Sequence, residues 1–479
     1  MSIRRCLILG CMVVGLQVLS AGQDQPSQNP PAQNPGGDNS DSGRTAPAAA
    51  LSAIAGMQSE GGTEDTSEDL PQVPALLGGK GISTAFLAEM KRSNYLRGGV
   101  NVGATYDDNP LLLANGESNT SETIFPNIRI EESTSRMRWS LGYAGGLTVN
   151  QKITSQNQGS HSLNFDSQYR LSPHMNLRIA ETFTMMTGFF DAGNGADTLA
   201  GSGGPNASLI TPLSTQRSSV TTVETNYHSA LNDLIGASGS FYALDFTNVP
   251  AGAQLTNSET ASGSAFWLHR VFRGDWGGID YRFDRITFNS GSDETRVHSF
   301  TVVDTLSVSK RFTLTGFVGP QYSENEGLVP PATLSSQSSA WSITGGADGG
   351  WHGDRTSLSA GYSRSISDGG GVLGAVHLQS VRANFRRQLV PGWAAALNAS
   401  HGTNQSITVP FATSASSINL TSAGISLERN VEKSFGLRFA YTHDFQEQFG
   451  LPAPMPTQDA SRNRFVVTLS YQWAKPLGM

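Results

Sequence analysis

Arg464-Phe465-Val466-Val467-Thr468-Leu469-Ser470-Tyr471-Gln472-Trp473, close to the end of the chain, decides the fold. Phe465, Val467, Leu469, Tyr471 and Trp473 share one face of an extended strand, because side chains alternate with a period of two. Arg464, Thr468, Ser470 and Gln472 share the other, and Val466 is the one exception. An apolar face ending in two aromatics, backed by a polar face, suits a strand with lipid on one side and water on the other.

The same alternation recurs upstream. From about Leu96 to Trp473 the chain reads as about eighteen strand-like segments of roughly 8 to 17 residues. Trp139, Leu141, Tyr143, Leu147 and Val149 oppose Arg138, Ser140, Thr148 and Asn150, and Ile279, Tyr281 and Phe283 oppose Asp280, Arg282 and Asp284. The segments 220–229, 235–246 and 418–427 slip phase midway, which predicts bulges. Tight connections near 132–136, 172–174, 230–234, 270–274, 309–311, 352–354, 388–392 and 430–434 alternate with loose ones. Among the loose ones 190–216 is the longest. This two-stroke rhythm predicts an all-β fold: a transmembrane, antiparallel, up-and-down β-barrel of about 18 strands over 95–479, with both chain ends on one side. A soluble sandwich or propeller also has many strands but lacks that rhythm.

The N-terminus supplies the compartment. Arg4 and Arg5 precede an apolar stretch from Cys6 to Leu19, and Ser20-Ala21-Gly22 offers a small-residue cleavage site, so 1–22 reads as a secretory signal peptide. A lipoprotein signal ending at Cys11 would leave an apolar core of only about five residues. Both cysteines lie inside the signal, so a disulfide framework, a Cys-ligated metal and a thiol nucleophile are excluded after cleavage. Cleavage removes two positive charges and no acid, taking the formal net charge from −7 to −9, which argues against a nucleic-acid partner. No later apolar run approaches 20 residues, so no spanning helix is expected. Mean hydropathy of −0.26 is compatible with a barrel, since only alternate strand residues face lipid. Residues 23–81 are rich in Gln, Pro, Asn, Ser and Gly, carry an acidic patch (Glu60, Glu64, Asp65, Glu68, Asp69), and read as a disordered periplasmic leader. In 82–94, Ile82, Phe86 and Met90 take helical spacing, giving a short helix or linker at the barrel mouth, or a small plug in the lumen.

The terminal strand resembles the closing strand of bacterial outer-membrane barrels, which ends in an aromatic and carries their assembly signal; here Ala474 to Met479 follow Trp473. Tyr106-Asp107-Asp108-Asn109, after Val100, Val102 and Ala104, resembles a group of bacterial outer-membrane β-barrel porins, some of which sit near exopolysaccharide systems. The motif is four residues long. The resemblance implies a channel-like protein of the Gram-negative outer membrane. The resemblance carries over no substrate; the partners expected of such a barrel are outer-membrane lipid, the barrel-assembly machinery, and polysaccharide or small solutes.

No catalytic constellation emerges. HExxH, a Walker loop and G-x-S-x-G are absent, and the nine histidines are scattered singly without metal-ligand spacing. Neither an enzyme nor a metal or other cofactor is expected. Asp107, Asp108 and Asn109 before Pro110 suit a turn, or a weak rim site for a hard cation that lacks further carboxylates at fixed spacing. Arg138, Asp166, Arg170, Asp280, Arg282, Asp284, Arg438 and Asp444 fall on the inward face, where intramembrane charge has to lie. They would either set a field across a water-filled pore or pair to close it. About 18 strands make a lumen too wide for side chains to fill, which favours a pore, narrowed by 190–216 folding inward. The expected function is passage of small hydrophilic solutes or glycans. The alternatives are a non-conducting surface barrel that binds a partner or matrix through its outer loops, and a barrel-embedded hydrolase.

Overall fold

The computed structural model describes β1 (Gln72–Val73), β2 (Ile82–Ser83) and the chain from Ser93 to Leu477 outside 111–116, 155–156, 188–214, 231, 248, 250–254, 273–274, 289–292, 310, 330–333, 372–373, 408–416, 432–433 and 450–458. The expected signal peptide, most of the 23–81 leader and most of 82–94 lie outside the described residues. β1 and β2 pair antiparallel, so the expected helix does not begin at Ile82.

The remaining strands are β3 (Ser93–Asp107), β4 (Asn119–Ser133), β5 (Met137–Asn150), β6 (Gln158–Ser172), β7 (Met175–Thr187) and β8 (Thr215–Ala230). They continue as β9 (Asp233–Thr247), β10 (Ser258–Phe272), β11 (Asp275–Phe288), β12 (Asp293–Ser309), β13 (Phe312–Val329) and β14 (Leu334–His352). The last six are β15 (Thr356–Ser367), β16 (Val376–Val390), β17 (Trp393–Ser406), β18 (Ser417–Asn430), β19 (Phe435–Phe449) and β20 (Ala460–Pro476). Each pairs antiparallel with its neighbours in sequence, and β20 pairs with β3, so β3 to β20 close an 18-stranded up-and-down barrel. Closure leaves no free edge between first and last strand. All eight expected tight connections lie at one rim, with the start of β3 and the end of β20; the long ones lie at the other. In the β4–β5 turn the Thr134 hydroxyl accepts the Met137 N–H at 3.0 Å. In the β16–β17 turn Gly392 takes φ 80°, which suits glycine.

Outward side chains make the apolar belt. Ile279, Tyr281, Phe300, Val302 and Val318, for example, are 41 to 58% exposed on the outside. On β20, Phe465, Val467, Leu469, Tyr471 and Trp473 are all exposed outward, whereas Arg464, Thr468 and Ser470 are buried inward. The expected mid-strand bulges are absent. The ladders of β9 and β18 run unbroken, and β8 shifts register only beside its turn, between His228 and Ala230. The phase slips in the sequence arise because the inner wall is itself apolar in places. Leu234, Phe266, Leu268, Trp276 and Val303 pack on the lumen side of β9 to β12, and Tyr242, Leu244 and Phe246 nearer the loop rim.

The seam between β3 and β20 depends on close approach. The Trp473 ring lies over Gly98, where a Cβ would come within 2.5 Å of it. Gly98→Val should therefore displace Trp473 and hinder closure. The check is refolding into detergent, scored by heat-modifiable migration: the variant is expected to lose most of the compact, fast-migrating band, while Val102→Leu on the same face keeps it.

Candidate functional site: the lumen wall and its inward tip

The eight inward charges read from the sequence occupy the lumen wall in separate groups, joined by residues that reading missed. Near the turn rim Arg97 Nε and Arg129 Nε contact the two oxygens of Glu131 at 3.1 and 2.9 Å, beside Arg138 and Asp166. Arg178 pairs with Glu224 at 3.0 Å on β7 and β8, and Arg170 lies on β6, inward with Asp166. On β11 the Arg282 guanidinium donates to both Asp284 oxygens at 2.7 and 2.9 Å and to Ser262 at 3.2 Å, with Asp280 buried one step along. Glu428 receives Arg386 at 2.8 Å and Arg438 at 3.7 Å. Asp444 is held by Arg462 at 2.9 Å, Arg464 at 3.2 Å and the Ser422 hydroxyl at 2.7 Å. Arg382 reaches Asp348 across Gly361, whose missing side chain leaves the space: a Cβ there would run into the Asp348 carboxylate.

The sequence held a signal for these partners. Strict alternation from Asp444 across the register puts Arg462 and Arg464 on the same inner face, since Arg462 is directly opposite Asp444. Not every acid is inward: Glu181 lies on the outer face, accepting from Ser219 at 2.8 Å and from Thr221. His161, His298, His401 and His443 also take the outer face, bonded to Tyr143, Tyr281, Thr421 and Asn463 at 2.9 Å each.

Asp107, Asp108 and Asn109 build a turn and fasten the seam. Asp107 Oδ1 accepts the Asn109 N–H at 3.0 Å, the turn such residues favour. The Asp108 carboxylate accepts the Asn463 backbone and side-chain N–H groups, both at 2.6 Å, and Asn109 Nδ2 donates to the Ser461 carbonyl at 3.0 Å. These oxygens are thus directed into the protein. Among the described residues no three His, Cys, Asp or Glu side chains gather as a metal site.

At the loop rim one described segment folds into the lumen. Residues 190–216, expected to narrow it, lie almost wholly outside the described residues; among the described residues the turn between β15 and β16 folds in. Gly369, Gly370 and Gly371 take φ of 66°, 59° and 82°, a left-handed run open only to glycine without strain. It brings Asp368 to Ser258 on β10, whose hydroxyl donates to the carboxylate at 2.5 Å, and the Gly371 carbonyl to the Thr256 N–H at 2.8 Å. Ile366 packs on Ile286, Phe288 and Val297 of β11 and β12, with Ala375 and Ile407 alongside. Asp368 is fully buried; burial pushes its carboxyl above the usual range, and the bonds from Ser258 and the Gly370 N–H oppose that shift. Tyr242 is a titratable side chain near it.

A closed 18-stranded barrel with an apolar exterior and an inner wall of Arg–carboxylate groups is what fold and wall define. No protein-family model matches the chain, and no curated protein does. Similar solved structures include the outer membrane protein OpdK from Pseudomonas aeruginosa (11% identity, 79% of this chain, 99% of that chain, TM-score 0.41). The ferric citrate transporter FecA in its unliganded form is another (10%, 84%, 82%, 0.42), as is OccAB4 from Acinetobacter baumannii (10%, 80%, 98%, 0.40). Likenesses this remote leave the reading of the barrel to its own residues.

Two substitutions on β11 test the face assignment. Tyr281→Arg places a cation on the outer face midway along the strand and should cost ~2–4 kcal/mol of folding free energy. Arg282→Glu reverses a lumen charge beside Asp280 and Asp284; it should shift ion selectivity toward cations and carry its own folding cost, from three adjacent carboxylates. Urea titration in detergent and reversal potentials provide the two readouts. A silent Tyr281→Arg would contradict the assignment.

Proposed function

We propose that the protein is a pore of the outer membrane that passes small hydrophilic solutes and takes no part in catalysis. The observation that carries this reading is the division of the wall: an apolar belt outside and charged, hydroxyl-rich strands inside, around a lumen of eighteen strands. The short turns and the chain ends then belong to the periplasmic side and the long loops to the outside. The likeness of Tyr106 to Asn109 to porins near exopolysaccharide systems makes a glycan the second solute class to try. Paired charges and the inward tip also suit a closed barrel that only binds partners at its outer loops. Conductance separates the two. Discrete steps in planar bilayers, smaller than an unobstructed 18-stranded lumen would give, support the pore; a silent bilayer with correctly folded protein supports the binding barrel.

The tip makes that conductance depend on pH. The Asp368 carboxyl is raised in the docked state, so docking is favoured while it is protonated and weakens as pH rises through the raised value. Conductance should therefore increase with pH, on the side above the ordinary carboxylate range. Asp368→Asn keeps the Ser258 contact without a charge, and its single-channel records should stay at the low level across the same range.

A further inference from the structure

The barrel wall is not paired over its whole height. Between β14 and β15 the ladder runs from His352 opposite Ser357 to Gly345 opposite Arg364 and ends there, although β14 stays paired with β13 as far as Leu334. Above Gly345 the β15-facing side of β14 has no strand partner among the described residues. At the point of parting the Thr344 hydroxyl donates to the Arg364 carbonyl at 2.9 Å. The parting coincides with the inward tip, where the end of β15 leaves β14 and Ile366 packs on the inner wall of β11 and β12.

The parting begins within the apolar belt. Ile343 and Trp341, just above it, face outward 62% and 73% exposed, level with Pro320 and Tyr322 on β13. Hydrocarbon does not tolerate an open sheet edge unless that edge meets protein, water or a ligand. At its foot stands half-buried Arg364, two residues past the outward Tyr362 and two before Ile366, which already packs on the inner wall, with His377 near it on β16. The Arg364 Nε is buried without a hydrogen-bond partner. A guanidinium at membrane depth with an unsatisfied donor calls for an anion, and further along β14 Ile343 and Trp341, the latter tilted against Tyr322 at 5.0 Å between ring centres, offer an apolar wall leading away from it.

We propose that this parting is a lateral port that receives an amphipathic anion, its acidic head on Arg364 and its apolar body along Ile343 and Trp341. The port connects the lumen with the outer leaflet. The proposal rests on the reading of the chain as an outer-membrane barrel, but it does not require that hydrophilic solutes pass.

The test uses the full chain in phospholipid vesicles, a dodecyl sulfonate carrying a photoreactive diazirine, and the matching uncharged dodecanol. Sulfonate labelling is expected on peptides holding Trp341, Ile343 and Arg364, and dodecanol labelling is expected to spread over the outer belt. Arg364→Gln should lower the sulfonate signal about tenfold, as for the loss of one charge-assisted hydrogen bond, and Arg364→Lys should restore much of it. Ser342 and Ser367 would face each other if the register of Gly345 and Arg364 continued. A disulfide from Ser342→Cys with Ser367→Cys should therefore abolish labelling until reduced; if the two do not join, the Arg364 variants decide. Uniform sulfonate labelling, or labelling indifferent to Arg364→Gln, overturns the port. So does recovery from intact envelopes of another polypeptide cross-linked along Leu334 to Thr344, which would make the edge a strand-docking site. Planar-bilayer conductance of the same variants keeps the two readings apart. Normal conductance without specific labelling removes the port alone, and specific labelling in a silent barrel removes the hydrophilic pore alone.

Discussion

In a hydrocarbon medium each backbone N–H and C=O must find its partner within the protein, and the architecture follows from that requirement. Strands satisfy it only by pairing on both sides, so the sheet has to close, and β20 has to meet β3. Once closed, the outer side chains need only be apolar and the inner ones only compatible with water. An even strand number then brings both ends of the described barrel to the same rim. The parting of β14 from β15 is where this rule is relaxed, and it coincides with the inward-turned hairpin tip and with a buried, unpartnered guanidinium nitrogen.

Charge is handled on the same principle, in side chains. Several inner arginines are grouped with carboxylates at contact distances, so desolvation at the wall is offset locally there rather than by bulk water. Small residues set which pairs form. Gly361 lets Arg382 and Asp348 meet over an intervening strand, and Ala394 and Ala396 stand between Arg386 and Glu428 in the register. The lumen therefore presents a pattern of paired charge along some strands and apolar surface along others, with the two apolar clusters on the β9 to β12 arc.

Much of this is legible in the amino-acid order alone. Lipid imposes a strict period of two, so strands such as β11 and β20 announce both their existence and their faces, and tight turns separate cleanly from long connections. Eighteen strands and all eight turns follow from that signal. The losses have a common cause: wherever the inner wall is apolar, as at Leu234, Tyr242 and Phe246, both faces look alike and alternation reads as a bulge. Ion partners such as Arg462 and Glu428 depend on cross-strand register, which no single strand encodes. The inward tip is beyond reach of such reasoning, because its glycines signal a turn but not the direction in which it folds.

The clasp between Asp108, just past the end of the first barrel strand, and Asn463, in the last, joins residues 355 apart in sequence. Most other contacts in the wall are between strands adjacent along the chain. Zipping such hairpins is entropically easy and can proceed piecemeal, but the final loop closes only after the whole chain is present. Until then two unpaired edges remain, each a template for the wrong partner. The folding of this protein is therefore governed at its end by one long-range event, and any partly zipped barrel is an open sheet that must be kept from its neighbours.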